Sequence, residues 1–348
     1  MIKINKQKLE NYGTPFIVAE AGINHNGELF KAFKMIEVAK NVGVDAVKFQ
    51  TFKAEEFCGD KTQTFTYKSQ GKEVTESMFE MFRRYEFTKD EWLQIKQKCD
   101  DENILFLSTP QNRSDLDMLL ELGLPAIKVG SDDFTNLPLL EDYSATGLPM
   151  IVSCGMSDLI EVHQALDALG TSKGYPTILL LCTSQYPTPS EDVNLLKLKT
   201  LANTFPDLVL GFSDHTKGSL ASSLAVGFGA VFFEKHFTLD NNLAGPDHWF
   251  SENPESLKAW VESIHQSYKM MGSALVEPTS KELEMRKLAR RTIVILKDIK
   301  QGDELTEDNI GLRRAGSGLA PVLIKEMLGS LALRKLVEGN LLKLEDVQ

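Results

Sequence analysis

Cysteine is scarce in this chain, and the four present (Cys58, Cys99, Cys154, Cys182) form neither a CxxC pair nor a dense pattern. That excludes a disulfide-built scaffold and predicts a reducing, cytoplasmic setting. Long apolar runs are missing as well: none approaches the ~20 residues a membrane span needs. The N-terminal MIKINKQKLENYG has no apolar core of the kind a signal peptide carries. Basic residues are outnumbered, 38 Lys and Arg against 49 Asp and Glu, for a formal net charge of −11. This balance argues against nucleic-acid and anionic-membrane partners, but not against a small anionic ligand, because a few lysines dominate the potential inside a cleft. What is present is ordinary for a globular protein, with 42% hydrophobic and 25% charged residues over 348 positions. The length exceeds one common domain and suits a barrel of about 250 residues with a small appendage.

Strand-like and helix-like stretches alternate from about residue 16 to residue 271. Apolar runs begin at Phe16 (FIVAE), Ala46 (AVKFQT), Ile104 (ILFLST), Ala126 (AIKVGS), Met150 (MIVSCG), Thr177 (TILLLCT), Leu208 (LVLGFS) and Ala230 (AVFFEKH). Amphipathic segments separate them. Leu29 to Val42 sets Phe33, Ile36 and Ala39 on one face, and Thr88 to Cys99 opens on a capping box of Thr88 with Glu91. Helix starts are also legible after Ser114, Ser157 and Pro254. Eight strand–helix repeats predict an α/β fold, a closed (β/α)8 TIM barrel; a doubly wound open sheet is the weaker alternative.

A barrel gathers its chemistry where the strands end. Those ends carry Glu20, Lys48 with Gln50, Ser108 with Thr109, Lys128 with Ser131, Ser153, Thr183 with Tyr186, Ser213 to His215, and Glu234 to His236. His215 and His236 follow successive strands, in GFSDHT and FFEKHF, with GPDH (Gly245 to His248) close behind. Two imidazoles so delivered could share one divalent metal, or each could bond backbone at a loop start. Lys48 and Lys128 interrupt apolar runs, so each needs an anionic partner, either a phosphate or carboxylate ligand or a barrel carboxylate such as Glu20 or Glu234.

Residues 52 to 87 form the longest excursion between strands and carry Phe52, Phe57, Phe65, Tyr67, Phe79, Phe82 and Tyr85, which predicts a local core with a lid edge. After Met271 the pattern changes. The expected domains are a barrel over 1–272, a linker over 273–287 in which Ser280 to Lys287 is helical, and a small unit over 288–348 with a strand TIVILK from Thr292. That last piece is marginal alone and gains from docking. Its Arg313 and Arg314, before Gly316 and Gly318, read as an exposed cation pair.

Taken together, EAGINHNG (from Glu20), VKFQT (from Val47), LSTP (from Leu107), IKVGS (from Ile127), CTSQYPTP (from Cys182), GFSDHT, EKHFTLD (from Glu234) and GPDH resemble, in order, the motifs of the sialic acid (N-acetylneuraminate) and other nonulosonic acid synthases. The C-terminal unit resembles the antifreeze-like (SAF) domain of the same family. The resemblance implies an enzyme that condenses phosphoenolpyruvate with an N-acetylated mannose-type sugar and releases phosphate. It implies a divalent metal, Mn2+ or Mg2+, on His215 and His236, and phosphoenolpyruvate on Lys48, Thr109, Lys128, Ser131 and Ser213. It also implies the sugar on Gln50, Tyr186 and Asp247, proton handling by Glu20 and Glu234, and a homodimer in which Arg314 reaches the partner's barrel. Three positions depart from the family pattern: Ser184 where asparagine is common at a phosphate contact, Ser131–Asp132–Asp133 in place of serine–glycine–acid, and Ala315 in place of proline. The product stays open between sialic acid and legionaminic acid. A barrel synthase acting on a sugar phosphate, and a non-catalytic carbohydrate- or ice-binding protein, are the rival readings; two lysines and two histidines on one rim speak against the second.

Overall fold

Eight parallel strands form the first of two units in the computed structural model, which describes residues 1–348 and divides into Met1–Gly272 and Ser273–Gln348. They are β1 (Phe16–Gly22), β2 (Ala46–Thr51), β3 (Leu105–Pro110), β4 (Ile127–Val129), β5 (Met150–Ser153), β6 (Thr177–Cys182), β7 (Val209–Asp214) and β8 (Phe232–His236). Their order is β3-β2-β1-β8-β7-β6-β5-β4, and β3 lies against β4 to complete the ring. The eight expected runs are therefore the eight barrel strands, and the doubly wound alternative falls.

Side chains of a strand alternate between faces, so every second residue points into the ring. Phe16, Val18, Ala46, Leu107, Ala126, Ile151, Ile178, Leu180, Val209 and Phe232 make an inner apolar cluster, distinct from the larger one that faces the helices. A hairpin that the alternation did not reveal, Ile2–Ile4 with Gln7–Leu9, adds Ile2, Ile4 and Leu9 to this inner cluster. Two residues further along each strand, the inner positions turn polar. Gly211 sits within the apolar layers, where a Cβ would meet Leu180 Cδ2 at 2.4 Å and the Phe232 carbonyl oxygen at 2.5 Å. Gly211→Ala is expected to destabilise the barrel by about 1–3 kcal/mol through overpacking, read as a lower urea midpoint; an unchanged midpoint would mean that the ring yields at this point.

Around the ring, helix Leu29–Val42 buries Ala32, Met35, Ile36 and Ala39, with Phe33 half-buried beside them. Helix Lys89–Asp101 starts on the expected Thr88–Glu91 capping box. Two starts differ from expectation. The helix near Ser114 begins at Arg113 after Asn112, and the one near Ser157 is capped by Asp158, whose carboxylate accepts from Ile160 and Glu161 N–H groups. Pro254 opens its helix as expected, behind an Asn253 cap.

Residues 52–87 are more structured than a loop. Helix Ala54–Phe57, an antiparallel hairpin Thr64–Ser69/Lys72–Ser77 and helix Met78–Tyr85 fold on small cores of their own, Ile23 with Phe52, Met81 and Tyr85, and Ala54 with Phe79. Phe65, on the hairpin, is 39% exposed and lines the cavity described below.

The second unit has helix Ser280–Ala289, which buries none of its side chains, and an antiparallel pair Thr292–Ile295/Ile310–Arg313. Ile293, Ile295, Leu305, Ile310, Leu336 and Leu342 give it a core of its own.

Candidate active site

Where the inner positions turn polar, Glu20, Lys48, Thr109, Lys128, Ser153, Cys182, Ser213 and Glu234 form one ring of side chains around a cavity of about 420 Å³. Above them the same strands and their following loops add Gln50, Gln111, Gly130, Ser131, Ser184, His215 and His236. Strand register sets this. Glu20 is level with Lys48 and with His236, Gln50 with Thr109, and Ser213 with both Cys182 and Glu234.

The charges in the ring are dense and nearly dry. Lys48 Nζ lies 2.5 Å from Glu20 Oε2 and 3.6 Å from Glu234 Oε2, and donates to Thr109 Oγ1 at 3.0 Å. Lys128 Nζ donates to Ser153 Oγ and to the Val129 carbonyl, each at 2.8 Å, with Glu234 Oε1 at 3.9 Å. Ser213 Oγ donates to that same Glu234 oxygen at 3.1 Å. Both lysines thus have the carboxylate partners that burial demands. The two carboxylates differ. Burial lifts Glu20 to about 7, Lys48 opposing and Glu234 adding to the rise. Burial pushes Glu234 the same way, but Lys128 and Lys48 outweigh it and hold Glu234 at about 2. Burial also lowers the Lys128 ammonium.

The imidazoles of His215 and His236 have ring centroids 5.6 Å apart. His215 Nδ1 donates to the Thr183 carbonyl at 2.8 Å, which fixes the ring and leaves Nε2 for another partner. Burial, with His215 nearby, keeps His236 neutral, far below its ordinary range, and its buried Nδ1 has no hydrogen bond. No three His, Cys, Asp or Glu side chains converge tightly enough to hold a cation alone. Two imidazoles with an orphaned ring nitrogen fit a divalent ion that takes its other ligands from water and substrate oxygens.

Tyr186 packs over His215, ring centroids 4.2 Å apart, and against Phe250 at 5.0 Å. A second cavity of about 430 Å³ adjoins this point, sharing Gln50, Phe65, Tyr186 and His236 with the first and walled further by Tyr67, Lys68, Asp247, Trp249 and Phe250. Asp247 belongs to this second chamber, its Oδ2 3.8 Å from His236 Nδ1, and burial raises it to about 6.

Of the residues singled out from sequence, thirteen on the first unit line the main cavity (Glu20, Lys48, Gln50, Thr109, Lys128, Ser131, Ser153, Ser184, Tyr186, Ser213, His215, Glu234, His236), and Asp247 lines the adjoining one, whereas the strand-end residues Ser108 and Thr183 line neither. Arg314 is carried by the second unit, exposed just past strand Ile310–Arg313. Of the two aspartates in the departing Ser131–Asp132–Asp133 stretch, Asp132 lines the cavity and Asp133 does not; Asp133 Oδ1 accepts from Asn136 Nδ2 at 3.1 Å ahead of helix Leu137–Ser144. Sequence reasoning also passed over Cys182, Gln111, Met156 and Phe82 as cavity residues. The first two were legible, because they continue the inward alternation of Ile178–Leu180 and Leu105–Leu107–Thr109.

A closed (β/α)8 barrel whose C-terminal mouth concentrates carboxylates, lysines and imidazoles defines a barrel enzyme. Residues 35–275 match the NeuB family and residues 290–348 match the SAF domain, so the chain belongs to the NeuB family. An N,N'-diacetyllegionaminic acid synthase of Legionella pneumophila is 38% identical over 96% of this chain and 95% of its own length. One from Campylobacter jejuni is 38% identical over 94% and 98%. Among solved structures, an N-acetylneuraminic acid (sialic acid) synthetase from Leptospira borgpetersenii in complex with citrate is 34% identical, with a TM-score of 0.72 over 82% of this chain and 95% of that one.

Proposed function

We propose that this protein condenses phosphoenolpyruvate with the open-chain aldehyde of an N-acetylated mannose-type sugar, giving a nonulosonic acid and phosphate. The observation that supports it is the packing of two carboxylates and two lysines into one cavity, Lys48 Nζ lying 2.5 Å from Glu20 Oε2 and 3.6 Å from Glu234 Oε2, with burial pushing Glu20 up and the two lysines holding Glu234 down.

The reaction needs both kinds of carboxylate. The enol carbon attacks the aldehyde carbon, and positive charge develops at the carbon that bears phosphate. Glu234, ionised throughout, is suited to face that charge. Glu20 can hold or release a proton near neutrality and is suited to draw one from the water that adds there. The hydrated carbon then becomes the product ketone as its C–O bond to phosphate breaks and the electron pair leaves with the phosphate. Of the water's two protons, one ends on the new hydroxyl at the former aldehyde carbon and the other leaves with phosphate. Lys48, Lys128, Thr109, Ser131, Ser184 and Ser213 would hold the two anionic groups of phosphoenolpyruvate, and Gln50, Tyr186 and Asp247 the sugar. His215 and His236 would hold a Mn2+ or Mg2+ ion, which when bound polarises the aldehyde oxygen.

Among such sugars we take 2,4-diacetamido-2,4,6-trideoxymannose as the acceptor, giving a legionaminic acid, over N-acetylmannosamine, giving sialic acid. Tyr67, Trp249 and Phe250 wall the adjoining chamber with aromatic surface suited to a 6-deoxy methyl and acetyl groups. The two relatives at 38% identity that carry the legionaminic name support the same choice.

Phosphate release tests the reading. It should be absent with phosphoenolpyruvate alone, present with N-acetylated mannose-type sugars and greatest with the diacetamido sugar. A clear preference for a sugar phosphate, or no release with any acceptor, would sink it. A chelator should abolish the release and Mn2+ restore it; indifference to chelator counts against the histidine pair.

A further inference from the structure

Gln111 has a buried side-chain oxygen, Oε1, with no hydrogen-bond partner, although the residue lines the main cavity. Its position is fixed by the backbone. The Gln111 N–H donates to the Thr51 carbonyl at 3.0 Å, extending the pairing of β2 and β3 by one residue. The alternation that turns Leu105, Leu107 and Thr109 inward therefore turns Gln111 inward too, over Thr109 at the cavity mouth. A buried amide oxygen without a partner destabilises the free protein, and a leucine would fill the same space without that penalty. The amide oxygen takes part in no hydrogen bond of the fold. Phe82 lines the same cavity and is held rigidly by Phe52 and Phe57, ring centroids 5.0 Å away in each case, and Phe65 lies on the hairpin above.

We infer that Gln111 is a specificity residue that recognises an acetamido group of the acceptor sugar, its Oε1 accepting the amide N–H while the acetyl methyl packs on Phe82 and Phe65. An acetamido group pairs one donor with one methyl, and the Gln111 oxygen and the rings of Phe82 and Phe65 bring an acceptor and aromatic surface to the same cavity. A hydroxyl in the same place would leave the aromatic surface wet. The inference rests on the sugar-binding reading above and names the feature of the sugar that this end of the cavity selects.

Calorimetric binding of mannose, N-acetylmannosamine and 2,4-diacetamido-2,4,6-trideoxymannose to the full chain and to Gln111→Leu tests it without requiring turnover. The variant should lose about ten-fold in affinity for an acetamido sugar, with mannose unchanged, and the ligand-free melting temperature should stay level or rise. The sugar at which the loss first appears identifies the amide that is read. Equal loss for all three sugars, no loss for any, or no binding of either acetamido sugar to the wild type overturns the inference. Acetamido binding that depends on Gln111 without phosphate release from phosphoenolpyruvate would instead overturn the condensation reading and leave this one standing.

Discussion

Glu20→Gln is expected to lower turnover by about 10²- to 10⁴-fold, the range of a lost general acid–base group, while phosphoenolpyruvate still binds. Glutamine keeps the shape and an oxygen that can accept from Lys48, which now sits 2.5 Å from Glu20 Oε2, so the ring of charges stays packed. What disappears is a proton site that burial has lifted to about 7. Below that pH the carboxyl is protonated and cannot take a proton from water, so kcat/KM of the wild type should climb with pH towards a limb near 7, and the variant should lack the limb. Stability should move the opposite way. The folded protein holds a proton on Glu20 between its ordinary 4.5 and about 7, where the unfolded chain has released it, so this group's contribution falls as pH rises through that window. Glu20→Gln should remove that slope as well. Phosphate release and urea unfolding from pH 5 to 8 read both. Near-normal turnover in the variant, or a wild-type limb that survives the substitution, would show that the proton carrier lies elsewhere.

How much of this was legible in the chain follows from which interactions are local. Strands β1 to β8 were found because each is an apolar run bounded by turns, and their polar ends stood out because the barrel buries them. The C-terminal rim residues could be named one by one, since position on a strand and position on the rim are the same fact in a parallel barrel. Asp133 and Asp132 could not be told apart, because they lie past β4, where the two-residue alternation no longer applies and hydrogen bonding to Asn136 decides. The hairpin of residues 64–77 was missed for a related reason: its strands run TFTYKS and KEVTES, and most of their side chains are exposed or half-buried, so no apolar face announces them. The difference between Glu20 and Glu234 was also out of reach. Both are glutamates at strand ends; what separates them is that Glu234 faces both Lys128 and Lys48 and accepts from Ser213, whereas Lys48 alone lies beside Glu20.

Lys48→Met should separate stability from catalysis at this same cluster. Lys48 touches both carboxylates, with side-chain exposures of 4% for Lys48, 1% for Glu20 and 7% for Glu234, so its removal leaves two buried acids facing each other. Breaking a buried pair by deleting one partner costs about 3–5 kcal/mol, whereas replacing both partners by neutral groups of similar volume is often nearly neutral. The single variant should therefore unfold at a clearly lower urea concentration than wild type, and Lys48→Met with Glu20→Gln should recover most of the difference. Neither should release phosphate. The deficit of the single variant should also shrink on going from pH 8 to pH 5, because Glu20, pushed up by burial and by Glu234 and no longer opposed by Lys48, takes up a proton and relieves the repulsion, while Lys128 still favours the charged form of Glu234. If the double variant proved no more stable than the single, the lysine would be holding the strands by its aliphatic stem and not by its charge. The ring would then be a packing layer, and the catalytic division between its two carboxylates would lose its electrostatic basis.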